Sequence, residues 1–141
     1  MKAVDTNVLA RFLVDDPDDA EAARQRQVAL RVFSQPVFVP LTVLLEFSWL
    51  IQGFYKFPRP TVAAILGTLL GLEHVLIEHR GDVAGALELF KEHTLDFADA
   101  LHLTRSSQMQ ALLTFDKQFA KRVARARKLA SVVAVELLDG R

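Results

Sequence analysis

Cysteine is absent from the sequence, which excludes disulfide bonds, thiol nucleophiles and zinc–thiolate centres together. Net charge is absent as well: 17 Lys and Arg balance 17 Asp and Glu. No whole-molecule field therefore draws in nucleic acid, and any such binding has to come from a local patch. Long apolar runs are missing. The longest, residues 62–72, is interrupted by a threonine and glycines and falls short of the about 20 residues a membrane helix needs. No basic-then-apolar leader opens the chain, since Asp5 already stands near its start. Repeats, low-complexity tracts and Ser/Gly linkers are lacking too. What is present is 141 residues, 51% apolar and 24% charged, enough for one hydrophobic core and not for two. The expectation is a soluble, cytoplasmic protein with a single domain spanning residues 1–141 and no membrane partner.

Short apolar runs alternate with helical patterns along the chain. Residues 1–4 read as a strand that ends in Asp5-Thr6-Asn7 and turns into a helix over 8–14. The acidic Asp15-Asp16-Pro17-Asp18-Asp19 segment opens a second helix, running to about Phe33. Residues 37–39 form a second strand. Thr42 is expected to cap an apolar helix that Gly53 stops, and Pro60 opens another reaching about Leu72. Residues 75–77, 112–115 and 132–135 read as further strands, with helices over 82–93, from Asp96 or Phe97 to about Arg105, and over 119–125. Strands alternating with helices imply parallel pairing with helices on both faces. The expected fold is α/β: a three-layer α/β/α domain with a five-stranded, mainly parallel sheet.

In such sheets ligands bind at the carboxyl ends of the strands. Asp5 directly follows the first strand and Asp116 the fourth. Asp99 sits in the first turn of a helix, and Glu46 emerges from the apolar helix after the second strand. Four carboxylates meeting at one sheet edge would repel one another without a cation among them. Oxygen-only donors favour a hard ion, magnesium (Mg2+) or manganese (Mn2+). Such ions activate water and neutralise charge on a phosphoryl group, which makes phosphodiester hydrolysis the natural chemistry. Each acid alone has a plainer reading. Asp99 is placed where helix caps occur, and Glu46 fits a solvated helix face. The set carries the argument.

At these residues the sequence resembles the PIN domain, and within it the VapC toxins of toxin–antitoxin pairs. The matching segments are Ala3-Val4-Asp5-Thr6-Asn7-Val8-Leu9, Glu46 in the third helix, Asp96-Phe97-Ala98-Asp99-Ala100, and Thr114-Phe115-Asp116-Lys117. Their order matches across essentially the whole chain. The resemblance implies a metal-dependent endoribonuclease with Asp5, Glu46, Asp99 and Asp116 as catalytic, metal-binding acids. Asp5 and Asp99 would be direct ligands, and Asp116 would act through water. It further implies an RNA substrate, a cognate VapB-like antitoxin and a homodimer. Thr6 and Asn7 would orient a carboxylate or a water from outside the ligand set, although Thr6 equally suits a helix cap. Asp96 fits either such a role or the cap of its helix, and Thr114 either an acidic-site hydrogen bond or an ordinary strand position.

Residues 117–128 carry six basic residues and no acid. Beside Asp116 this strip, through Lys117, Lys121, Arg122 and Arg125, would hold phosphates, or else form a solvated helix face. Arg24, Arg26 and Arg31 are weaker candidates. His102 lies one turn after Asp99, where packing or exposure outweighs proton transfer; His74, His79 and His93 show no ligand spacing. The segment with Phe47, Trp49, Leu50, Phe54 and Tyr55 holds more aromatic surface than one core absorbs, so an apolar groove for the antitoxin or a second copy is expected there. Two alternatives compete with the nuclease. One is a catalytically silent PIN-like binding module. The other is a phosphoacceptor receiver domain, which needs an acid pair at the first strand end, where Asp15-Asp16 does not stand.

Overall fold

Every strand pairing in the computed structural model, which describes residues 1–140, is parallel. The described chain divides into two units, the second beginning at Gly81. In the first unit, β1 (Lys2–Ala3), β2 (Val37–Val39) and β3 (Val75–Ile77) form a three-stranded sheet in that order. The register sets Ala3 beside Phe38 and Phe38 beside Leu76. Parallel neighbours require crossovers. α1 (Thr6–Leu13) and α2 (Ala20–Val32) supply the first, α3 (Leu41–Trp49) and α4 (Arg59–Leu70) the second. In the second unit, α5 (Arg80–Glu92, whose first residue belongs to the first unit) and α6 (Phe97–Arg105) precede β4 (Leu112–Thr114). α7 (Lys117–Arg125) and α8 (Arg127–Ala130) then lead to β5 (Val135–Leu137), which pairs with β4. The α/β class is as expected, but the sheet reads as three strands plus two rather than one continuous set of five. Among the described residues no helix is long and apolar enough to cross a membrane.

Local chemistry explains the element starts. The Asp19 carboxylate accepts hydrogen bonds from the Glu21 and Ala22 amides, each at 3.1 Å, and so caps α2 where the acidic run predicted a helix. α1 lies on α2. The Phe12 and Phe33 rings stack 3.9 Å apart at 3°, and Arg26 Nη1 donates to the Arg11 and Phe12 carbonyls. Arg26 therefore satisfies the open carbonyl end of α1. The core of this unit includes Leu9, Val37, Val39, Leu44, Phe47, Ile51, Leu66 and Ile77. In the second unit Phe90 and Phe97 meet edge to face at 6.0 Å, and Leu95, Leu103, Phe119 and Leu129 are buried with them.

Three local expectations change. Thr42 does not cap α3. Pro40 occupies the cap position, with no side chain able to serve, and the Glu78 carboxylate accepts from the Leu41 amide at 2.9 Å instead. Gly53 does not end the helix abruptly, because α3 widens into a π-helical turn over Leu50–Phe54. The last strand begins at Val135 rather than at residue 132, since the turn and bend that close α8 occupy residues 131–133. Replacing Glu78 by Ala is expected to cost about 1 kcal/mol, read as a lower urea midpoint at unchanged m-value.

Candidate active site

In the first unit the strands end at one edge, and the candidate side chains start there. β1 continues one bond further through the Val4 amide to the Phe38 carbonyl. Asp5 then leaves the sheet as the N-cap of α1, its Oδ1 accepting from the Val8 amide at 3.0 Å. A carboxylate has two oxygens, so capping occupies one and leaves the other for a ligand. Thr6, the first helical residue, is buried, and its Oγ1 donates to Glu46 Oε1. The hydroxyl thus fixes a carboxylate from a helix 40 residues away. Phe47, next to Glu46, is fully buried and anchors this part of α3. Asp5, Thr6, Asn7 and Glu46 share a cavity of about 510 Å³ with Trp49, Leu50 and Phe54. A second cavity of about 320 Å³ between α1 and α2 is also reached by Asp5 and Asn7, beside Arg11.

The second unit gathers its own acids. Asp96 caps α6, accepting from the Ala98 amide at 3.2 Å, so Asp99 is not the cap. It sits one turn in and is partly buried. Burial holds its carboxyl above the ordinary carboxylate range, and the charges of Asp96 and Asp116 add to that rise. His102 and Arg122 pull it the other way. Asp116 caps α7, accepting from the Phe119 amide at 3.0 Å. Its own amide donates to Thr114 Oγ1 at 2.9 Å, so Thr114 fixes the chain as it enters the acid.

α7 buries Phe119 and Val123 and exposes Lys117, Lys121, Arg122 and Arg125. Arg122 and Arg125 line a cavity of about 190 Å³ with His93 and Thr94. Neither of the latter two carried a spacing signal, and nothing in the local sequence marks them. Lys128, from the same basic run, is bound to Glu92 Oε2 at 2.6 Å. That hydrogen bond holds the Glu92 carboxyl below its ordinary range. Part of the apolar groove expectation is corrected: Phe47 is core, while Trp49 and Phe54 are exposed and Leu50 and Tyr55 half-buried.

Among the described residues no group of three or more His, Asp or Glu side chains stands together as a metal cluster. The donors present nevertheless suit a hard divalent cation. They are carboxylate oxygens without sulfur, and Asp99 is partly buried in the field of two further acids, a charge arrangement that a cation relieves. In the first unit the candidate ligands are Asp5 and Glu46, which share one cavity; in the second they are Asp99 and Asp116, whose charges act on each other.

Comparison with known proteins gives the family. The chain is 26% identical over 123 residues to a VapC ribonuclease of Aquifex aeolicus (strain VF5), an alignment covering 86% of this chain and 91% of that protein. The PIN domain family model matches residues 2–126. Those residues include Asp5, Glu46, Asp99 and Asp116, and the match sets aside the receiver-domain alternative: the chain belongs to the PIN domain family.

Proposed function

We propose that this protein is a metal-dependent endoribonuclease, the toxin of a toxin–antitoxin pair, acting through Asp5, Glu46, Asp99 and Asp116 with magnesium or manganese. The observation that carries this reading is the cavity that Asp5 shares with Glu46, a carboxylate held there by the Thr6 hydroxyl; in the second unit, Asp99 with its carboxyl pushed up by burial and by Asp96 and Asp116 adds to it. A fold seldom keeps a partly desolvated carboxylate among like charges unless the site uses it. The likeness to a VapC ribonuclease supports the substrate class, and an antitoxin partner and a homodimer belong to the same reading. When bound, a divalent cation would supply water activation and neutralisation of charge on the phosphoryl group. The chain's own residues do the rest. Asp5 and Asp116 are aimed by the helices they cap, Thr6 orients Glu46, and Thr114 steadies Asp116. Arg122 and Arg125, with His93 and Thr94 beside them, form a basic recess suited to a backbone phosphate.

The test is cleavage of a panel of structured RNAs by antitoxin-free protein in magnesium, manganese or EDTA, with Asp5→Asn alongside. Asparagine caps a helix as well as aspartate does, so this variant removes charge without removing the cap. Metal-dependent cuts that disappear in the variant are expected. A folded variant with full activity would sink the reading. The basic recess has a separate signature. Replacing Arg122 and Arg125 together by Ala is expected to weaken RNA binding and flatten the slope of log K against log salt by about 1.4, at about 0.7 per phosphate contact on single strands.

A further inference from the structure

The cavity that holds Asp5 and Glu46 has a second wall that the nuclease reading leaves without a task. Trp49 and Phe54 line it, and both are open to solvent, at 53% and 72% exposure. Their placement follows from the backbone. Glu46 and Trp49 are three residues apart on α3 and so share a helix face. The π-helical turn over Leu50–Phe54 then brings Phe54 to the same cavity. Phe54 is braced from behind: its ring meets Tyr55 edge to face at 5.1 Å, and Tyr55 stacks on Phe57 at 5.5 Å. Arg11 Nη1 donates to the Tyr55 hydroxyl at 3.4 Å.

An occupant has to satisfy both walls. A phosphate has no flat face for Trp49 and Phe54 to stack on, so it leaves that wall unused. An apolar protein side chain would strip water from those carboxylates and offer no partner in return. A nucleobase is flat and uncharged, with a π-face for Trp49 or Phe54 and a rim of donors and acceptors for the carboxylates and the Asn7 amide. A cavity of about 510 Å³ has room for one base with its ribose.

We propose that Trp49 and Phe54 form a stacking subsite for one unpaired nucleobase of the RNA, beside the Asp5–Glu46 carboxylates. The proposal takes its ligand class from the nuclease reading and adds a selection rule to it. In a duplex both faces of a base are covered by its neighbours, so the subsite favours single-stranded segments and loops.

Trp49 is the single tryptophan of the chain, so its fluorescence reports on this cavity alone. The full chain carrying Asp5→Asn, in magnesium buffer, is titrated with a short oligoadenylate and with an abasic ribose-phosphate oligomer of the same length. Oligoadenylate is expected to quench Trp49. The abasic oligomer is expected to bind roughly tenfold more weakly and without quenching. By anisotropy, Phe54→Ala and Trp49→Ala should each raise Kd for oligoadenylate roughly tenfold, while Trp49→Phe stays close to the parent. Equal binding and quenching by the abasic oligomer would overturn the subsite. So would unchanged affinity in both alanine variants, or an indole that acrylamide cannot reach because a second copy covers it. Base-dependent quenching in a protein that cleaves no RNA would uphold the subsite and defeat the nuclease reading, which keeps the two failures apart.

Discussion

Asp99→Asn is expected to lower RNA cleavage by on the order of 10²–10³-fold or more and, at neutral pH, to make the fold more stable. The two effects share one cause. Burial and the charges of Asp96 and Asp116 raise the Asp99 pKa in the fold, so the folded chain holds a proton there at pH values where the unfolded chain has released it. Stability of the parent therefore falls as pH rises from the ordinary carboxylate range through the raised value, and stays lowered above it. An uncharged Asn never incurs that loss. Thermal melts should show the variant above the parent at pH 7, with the gap closing as the pH drops below the ordinary carboxylate range of about 3.9. A variant that is both inactive and less stable at every pH would contradict this picture of a carboxylate held against its own preference.

Phe47→Ala is expected to give the largest loss of stability, about 3–5 kcal/mol. Phe47 is fully buried in the first unit, and truncation leaves a ring-sized void that a packed core closes only in part. For a chain of this size such a loss lowers the melting temperature by roughly 10–15 °C. The neighbouring exposed ring gives the contrast, because Phe54→Ala removes little buried surface and should leave the melting temperature within about 2 °C of the parent. Since Phe47 also anchors the turn that presents Glu46, its variant should lose activity along with stability. Phe54→Ala should retain its fold and change RNA binding only.

What the sequence made legible follows the range of each interaction. β2 and β3 stand where short apolar runs between turn residues placed them. Asp19 and Asp96 cap the helices they precede, because an N-cap is written in its own local segment. Long-range partners left no such trace. Glu78 caps a helix start 37 residues earlier in the chain, which is why Thr42 looked like the natural cap. Thr6 reaches Glu46 across 40 residues. α3 is apolar around much of its circumference, so no periodicity separated buried Phe47 from exposed Trp49. The run at 132–135 had the composition of a strand, but the ladder with β4 starts only when the Leu112 amide meets the Ala134 carbonyl. Among the candidate acids, Asp5 and Asp116 were marked by strand ends and Asp99 by its helix start, while Glu46 stood out only as a carboxylate in an apolar helix. Their capping duties, the Thr114 bond to Asp116 and the recess at His93 and Thr94 needed coordinates.

The proposed function requires Asp5, Glu46, Asp99 and Asp116 each for metal-dependent cleavage. The most direct measurement compares single-turnover cleavage of one susceptible RNA by the parent and by Asp5→Asn, Glu46→Gln, Asp99→Asn and Asp116→Asn, each checked for folding by circular dichroism. All four variants should remain folded and lose most of their activity, and EDTA should silence the parent. Full activity in the two folded variants of either unit, or cleavage indifferent to EDTA, would contradict the account.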